Sequence, residues 1–200
     1  MDQMMETKKH NTNKGQKLNV QPLRTQTDIE TAKFFLSKNK MGKRDLLLFL
    51  FGINTGLRAS DIVVRKVGEF RNTKKPYIVE EKTHKRRKLN LSNLAEQIDE
   101  YIADKSDDDW LFPSYKDRSK HLTVNGVYRM FEVLGKQMGR DDLGTHTMRK
   151  TFGYHYYKRT HDIATLMEIF NHSSQQITKR YIGITEDEID NSLDHFSIGI

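Results

Sequence analysis

Four short motifs hold the residues whose types and spacing could carry chemistry. They are T-G-L-R-A-S-D at 55–61, E-K-T-H-K-R at 81–86, H-T-M-R at 146–149, and N-H-S-S at 171–174, with Tyr181 behind the last. Arginine is always charged and can bond a phosphate through two N–H groups at once. Histidine exchanges protons near neutral pH, and a tyrosine hydroxyl that has lost its proton is a nucleophile. These residue types suit chemistry at a phosphate group.

Each motif also has an ordinary structural explanation when it is taken singly. Arg58 could neutralise the carbonyl end of the preceding helix, and Lys82 is one of many basic residues on a predicted hairpin. His146 and Arg149 are three residues apart and would share a helix face. Tyr181 could be an amphipathic packing residue. Taken singly, therefore, none of the motifs indicates a function.

Together and in this order, the motifs resemble the catalytic domain of the tyrosine recombinase (phage integrase) family. That domain has an arginine in a T-G-x-R-x-x-E/D turn, a hairpin lysine, an H-x-x-R box, a G-H-x-x box and a tyrosine close behind. The resemblance covers about residues 22 to 192. It implies an active site made of Arg58, Lys82, His146, Arg149, His172 and Tyr181.

Two residues depart from the family pattern, and one domain of the full-length integrases is not expected in this chain. Asn171 replaces the usual glycine, but asparagine also tolerates a left-handed backbone. Asp61 replaces the usual glutamate and keeps the carboxylate. Integrases of full length also carry an N-terminal core-binding domain, which the polar residues 1–22 cannot supply. The chain is then either a single-domain recombinase, similar to the fimbrial-switch invertases, or a fragment.

The resemblance implies that Arg58 and Arg149 bind the scissile phosphate of DNA. Negative charge develops on the phosphate oxygens during the reaction, so catalysis would be mostly positioning and electrostatic stabilisation. His146 and His172 would donate hydrogen bonds to this phosphate or help to take the tyrosine proton.

Tyr181 would attack the phosphate, form a 3′-phosphotyrosine and release a 5′ hydroxyl. Lys82 is the candidate acid for the leaving oxygen, and Lys85 replaces it if the hairpin register differs. The reaction requires no cofactor and no metal. His146 and His172 could ligate zinc in principle, but no carboxylate or cysteine cluster accompanies them.

Two other functions use similar residues. A type IB topoisomerase shares the chemistry but relaxes DNA without exchanging partners, and the short length and the T-G-L-R turn favour a recombinase. A DNA-binding regulator could keep the fold without the chemistry. Arg58, Arg149 and Tyr181 argue against this, because binding alone needs no such tyrosine.

The charge distribution indicates a polyanionic partner, which we take to be double-stranded DNA. The formal net charge is +7, and ten basic residues against three acidic ones lie between Arg65 and Asn90. A solvated basic surface is the ordinary alternative. The chain has no cysteine and no apolar run long enough for a membrane span, which fits a cytoplasmic protein.

The elements that must position these motifs are mainly helical, in an α+β fold. Helical spacing and caps predict helices from Thr27, at about 43–54 and 59–64, from Ser92, from Thr123 to about Met138, and at roughly 146–158, 163–170 and 174–181. Residues 67–70, 77–81 and 88–91 are separated by polar turns and predict a small antiparallel sheet of three strands, with Lys82 between the second and third.

The two ends of the chain have different predicted roles. Residues 1–22 are polar and predict a flexible basic arm, so the catalytic domain would span 23–200. Thr185 and Glu188 form a capping box that would start an acidic last helix. By the resemblance, this helix would pack on a neighbouring copy in a homotetramer on DNA, with a monomer possible in solution. A tail packed on its own chain is the alternative.

Overall fold

The fold was examined in a computed structural model, which describes residues 19–184, 193–194 and 196–197. This part of the chain forms eight α-helices and one short hairpin. The helices are α1 (Gln26–Ser37), α2 (Gly42–Thr55), α3 (Ala59–Val63), α4 (Ala95–Ile102), α5 (Val124–Met138), α6 (Thr147–Thr160), α7 (Ile163–Phe170) and α8 (Gln175–Ile182), and the strands are β1 (Tyr77–Val79) and β2 (Arg86–Lys88). The predicted mainly helical α+β fold is confirmed.

The central helix α2 is buried because its middle is apolar on every side, as the sequence predicts. Phe49 and Phe51 have no exposed surface. Helix α6 packs across α2, and the absence of a side chain at Gly52 allows Met148 to approach closely. A smaller apolar cluster, centred on Phe170, joins α6, α7 and α8. The motifs on these helices are thereby brought to one end of the core.

The prediction of three strands was wrong, because the sheet of the described residues has two. Tyr77 pairs with Lys88 and Val79 with Arg86 in antiparallel register. Residues 67–70 form a 3-10 turn, Val67–Glu69, instead of a strand. The backbone N–H groups of this turn bond to the carbonyls of residues 107 and 109, and the Glu69 carboxylate accepts from the N–H of residue 66. These bonds satisfy the backbone without a strand partner.

The N-terminal boundary also differs from the prediction. Thr25, not Thr27, caps α1, and its hydroxyl accepts from the N–H of Asp28 at 3.0 Å. Residues 19–22 belong to the predicted arm, and within them the N–H of Gln21 donates to the carbonyl of Asp142 at 2.9 Å. Such long-range bonds leave no local sequence signal. Residues 1–18 lie outside the described part.

The predicted capping box Thr185–Glu188 and the start of the last helix also lie outside the described residues. Among the helices that are described, none combines the length and the apolar character that crossing a membrane requires.

Candidate active site

The first motif forms the turn between α2 and α3. Gly56 ends α2 in the left-handed conformation (φ 63°), as its position in the sequence predicts. Arg58 then precedes α3 as its N-cap residue. Its Nη1 atom lies 3.2 Å from Oε2 of Glu80 and 3.8 Å from Oδ2 of Asp61. The arginine is partly exposed, so one side of it is paired with acids while the rest remains accessible.

Glu80 is a buried carboxylate that links the hairpin to this turn. It is 5% exposed, accepts from the Thr83 hydroxyl at 2.8 Å, and lies 3.6 Å from Nη1 of Arg87. The backbone N–H of Glu81 donates to the buried Asp61 carboxylate at 2.9 Å. Burial lowers the pKa of Arg87, although the charge of Glu80 opposes this. The Glu80 side chain and the Glu81 backbone therefore hold the hairpin against the turn that carries Arg58.

Arg149 of the third motif joins three elements from a buried position on α6. Its Nη1 donates to the carbonyl of Gly56 at 2.6 Å, and its Nη2 donates to the carbonyl of Phe170 at 2.9 Å. The guanidinium carbon lies 4.3 Å from the centre of the Phe170 ring. Burial lowers the pKa of Arg149 to about 10, which still leaves it charged at neutral pH. Arg149 is held rigidly by carbonyl groups and has no carboxylate partner among the described residues.

The fourth motif turns sharply between α7 and α8. Asn171 has a left-handed backbone (φ 53°) at the end of α7, which is the conformation expected for the residue that replaces glycine. His172 Nδ1 lies 3.1 Å from the hydroxyl oxygen of Thr178, and that hydroxyl donates to the carbonyl of Ser174. Because the Thr178 hydroxyl donates its proton to Ser174, the proton between Thr178 and His172 is assigned to Nδ1 of His172. Nε2 of His172 is then the atom left for a ligand.

Tyr181 on α8 meets His146, which directly precedes α6. The tyrosine hydroxyl lies 3.0 Å from Nδ1 of His146, and the His172 ring packs edge-on to the tyrosine ring with centroids 5.1 Å apart. Burial raises the pKa of Tyr181, while the charges of Arg149 and Arg58 act in the opposite direction. In the free protein the tyrosine therefore keeps its proton.

The two histidines are neutral in this surrounding. His146 is exposed at the surface, yet neighbouring groups desolvate its ring and lower its pKa, and the charges of Arg149, Lys150 and Arg58 lower it further. Burial, and then the charges of Arg149 and Arg58, lower the pKa of His172 in the same way. A neutral His146 can accept the proton of the tyrosine hydroxyl.

The two hairpin lysines lie in different places. Lys82 is on the exposed turn between β1 and β2, and it makes no hydrogen bond or ion pair within residues 19–184. The ammonium of Lys85 donates to the side-chain oxygen of Asn171, beside the fourth motif. Five of the six predicted residues thus gather at one place, whereas Lys82 lies on the exposed turn of the hairpin.

Sequence reasoning missed Glu80, Arg87 and Thr178, which hold the predicted residues in place. Glu80 could have been suspected as an acid within a basic stretch, whereas only the fold reveals its burial. Thr178 is six residues after His172, which carries no recognisable spacing. In the described residues, no three His, Cys, Asp or Glu side chains lie together as metal ligands would.

Sequence comparison finds similarity to integrases and recombinases. Residues 24–188 match the family described as the phage integrase family. The chain is 46% identical over 170 residues to the probable integrase/recombinase YoeC of Bacillus subtilis, covering 84% of this chain and 92% of that protein. It is 27% identical to tyrosine recombinase XerC of Herpetosiphon aurantiacus, over 73% of this chain and 50% of XerC.

A solved structure shares the fold at low sequence identity. The site-specific recombinase XerH, crystallised with a palindromic difH substrate after cleavage, superposes with a TM-score of 0.66 and 21% identity. The match covers 90% of this chain and 54% of the XerH chain. The chain therefore spans nearly all of YoeC but only about half of XerC and XerH.

Proposed function

Because this chain belongs to the phage integrase family, we propose that it is a site-specific DNA recombinase that cleaves and rejoins strands through a covalent bond to Tyr181. The observation that carries the proposal is the 3.0 Å contact between the Tyr181 hydroxyl and His146 Nδ1. Arg58 and Arg149 lie close enough for their charges to lower the pKa values of both groups. A nucleophile, a base and two cations at one place suit attack on a phosphodiester.

In the cleavage step, the Tyr181 oxygen attacks the phosphorus atom, and His146 accepts the hydroxyl proton. A bond forms between the tyrosine oxygen and phosphorus while the bond from phosphorus to the 5′ oxygen breaks. The DNA strand is left with a 3′-phosphotyrosine, and Lys82 gives a proton to the 5′ oxygen. Reversal of these steps with the 5′ hydroxyl of another strand rejoins the DNA. No metal or other cofactor takes part.

The arginines would bind the non-bridging oxygens on which negative charge develops. Arg149 is rigid because two carbonyls hold it, so it can stabilise the transition state without reorganisation. Arg58 would weaken its ion pair with Glu80 and bind the phosphate instead. The Nε2 atom of His172 would donate a hydrogen bond to the same phosphate when the imidazole is protonated.

Double-stranded DNA is the proposed substrate and partner. The basic stretch from Arg65 to Asn90 supports this, as does the complex of XerH with its difH substrate. We further propose assembly as a homotetramer on DNA through the acidic C-terminal segment, and a cytoplasmic location. Deletion of residues 187–200 should weaken synapsis of two DNA sites in a gel-shift assay. Normal synapsis by the truncated chain would exclude this role for the segment.

The proposed nucleophile is tested by trapping the covalent product. The chain is incubated with supercoiled plasmid carrying candidate sites, the reaction is quenched with detergent, and DNA attached to protein is measured. The native chain should form an adduct, and Tyr181→Phe should form none while binding DNA equally well. Tyr115→Phe is the matched control, since Tyr115 is an exposed tyrosine outside the site, and it should behave as the native chain.

Other outcomes of this experiment point to the alternative functions. DNA binding without an adduct, on a substrate that carries the cognate site, would indicate a regulator without catalytic activity. An adduct accompanied by relaxation, but without exchange of strands between two sites, would indicate topoisomerase-like activity.

A further inference from the structure

The segment formed by residues 20–24, which we name the brace, lies along α6. The ammonium of Lys150 donates to the carbonyl of Val20 at 2.6 Å. The N–H of Leu23 donates to the hydroxyl of Thr151 at 2.9 Å, and the carbonyl of Leu23 lies 2.8 Å from Nε2 of His155. The brace is therefore bonded to three residues on two successive turns of α6, the helix that carries Arg149.

The last residue of the brace reaches a second helix. Nη2 of Arg24 donates to the carbonyl of Gly183 at 2.8 Å, at the point where α8 ends. The guanidinium carbon of Arg24 also lies 4.9 Å from the centre of the Tyr154 ring on α6. One side chain thus connects the end of α8 to the face of α6.

Helix α8 depends on such external contacts because it is short. It has eight residues, fewer than an isolated helix needs for stability in water. Its first turn is capped by the Ser174 hydroxyl, and its end is a left-handed residue, Gly183 (φ 76°). A cation at the carbonyl end of a helix is favourable, because the helix dipole is negative there. Arg24 provides both this charge and a hydrogen bond.

We propose that Arg24 is a positioning residue for the Tyr181 nucleophile, an inference that rests on the proposed function of Tyr181. Gly183 is two residues beyond Tyr181, so a fixed Gly183 carbonyl restricts how far the nucleophile can move. The brace itself is fixed to α6, next to His146 and Arg149. Arg24 therefore sets the distance between the nucleophile on α8 and the groups that activate it. Displacement by about 1 Å can lower a rate by roughly a hundredfold.

The test measures cleavage, DNA affinity and thermal stability in the full chain with Arg24→Met. Loss of a charge-assisted hydrogen bond that positions Tyr181 should lower the single-turnover rate of adduct formation about tenfold or more. DNA affinity should remain that of the native chain, because Gly183 and Tyr154, which Arg24 contacts, are not among the residues proposed to bind the phosphate. Arg24→Lys keeps the charge and one donor, so it should restore part of the rate.

Arg140→Met is the matched control. Arg140 also bonds the brace, because its Nη2 donates to the carbonyl of Pro22 at 3.4 Å, but its other partners are Asp28 and Asp142 rather than α8. This variant should loosen the brace and leave cleavage within about twofold of the native rate. An equal loss of cleavage in both variants would mean that the brace contributes general stability, and the role of Arg24 would be rejected.

A second readout does not depend on activity. 3-Fluorotyrosine is placed at position 181 alone, and its fluorine resonance is recorded by NMR. Arg24→Met should shift or broaden the resonance, whereas Arg140→Met should not. An unchanged resonance or an unchanged cleavage rate in Arg24→Met would overturn the inference. If the native chain forms no adduct, the proposed function fails, and the resonance still decides whether Arg24 positions Tyr181.

Discussion

At the scale of single residues, burial has opposite effects on the two groups that share a proton. It raises the pKa of Tyr181 and lowers that of His146, because burial disfavours the charged form of each. The proton therefore rests on the tyrosine, and the histidine is a neutral acceptor. This is the state from which the proposed nucleophile would be activated when a phosphate enters.

The pH dependence of cleavage should report His146. Its pKa lies below the ordinary value of 6.5, so the neutral form persists into mildly acidic solution, and the rate should fall only as the pH decreases through that lowered pKa. Replacement by glutamine should remove this acid limb and slow cleavage by roughly 10²–10⁴-fold, which is typical of general bases. Single-turnover rates between pH 5 and about 8 measure both effects.

His172→Gln provides the comparison for this pH profile. It removes the donor to the phosphate and should slow cleavage, but the acid limb of His146 should remain. An acid limb that vanishes in the His172 variant and persists in the His146 variant would reverse the two assignments.

Glu80 should contribute to stability through the arginines that it joins. Glu80→Gln keeps the shape but leaves Arg58 and Arg87 without the carboxylate they share, so the free energy of unfolding should fall by about 2 kcal/mol or more. Urea unfolding followed by circular dichroism measures this difference. Glu81→Gln removes a neighbouring carboxylate that is mostly exposed, and it should change the free energy by less than about 0.5 kcal/mol. Equal effects would contradict the role assigned to Glu80.

At the scale of elements, the hairpin carries Lys82, the proposed acid, and Lys85, which contacts Asn171 of the fourth motif. Lys82→Ala should slow cleavage of ordinary DNA, since the 5′ oxygen leaves without a proton. A substrate with sulphur in place of that oxygen should restore the rate, because a thiol has a pKa of about 8.5 and leaves as the anion. Lys85→Ala should need no such rescue. The reverse pattern would identify Lys85 as the acid.

Helices were predicted more successfully than the sheet for a physical reason. The apolar spacing of α2, α5 and α7 is a local property that persists in the folded chain. Residues 67–70 also form a short segment before a polar turn, as a strand would, but their backbone groups find partners in the loop at 107–109. Such a local pattern cannot reveal which distant carbonyls will be available.

The parts of the site that could be predicted are those that lie in local sequence motifs. Arg58, His146, Arg149, His172 and Tyr181 lie in motifs with recognisable spacing, and the fold brings them together. Glu80 and Arg24 act through bonds to residues 22 and 159 positions away in the chain, respectively. A single sequence contains no signal for contacts of that range.

At the scale of the whole molecule, Tyr181 and the residues around it belong to one polypeptide. Suppose that Tyr181→Phe protein is mixed with Arg149→Lys protein on the same DNA. If each chain attacks only the phosphate that its own arginines hold, no pair of defective copies can make one working site, and the detergent-quenched adduct should stay at the level of the separate variants. Recovery of the adduct would show that a tyrosine reaches across to another copy. If the adduct is not recovered, the number of strands that an assembly can cut equals the number of intact chains that it contains.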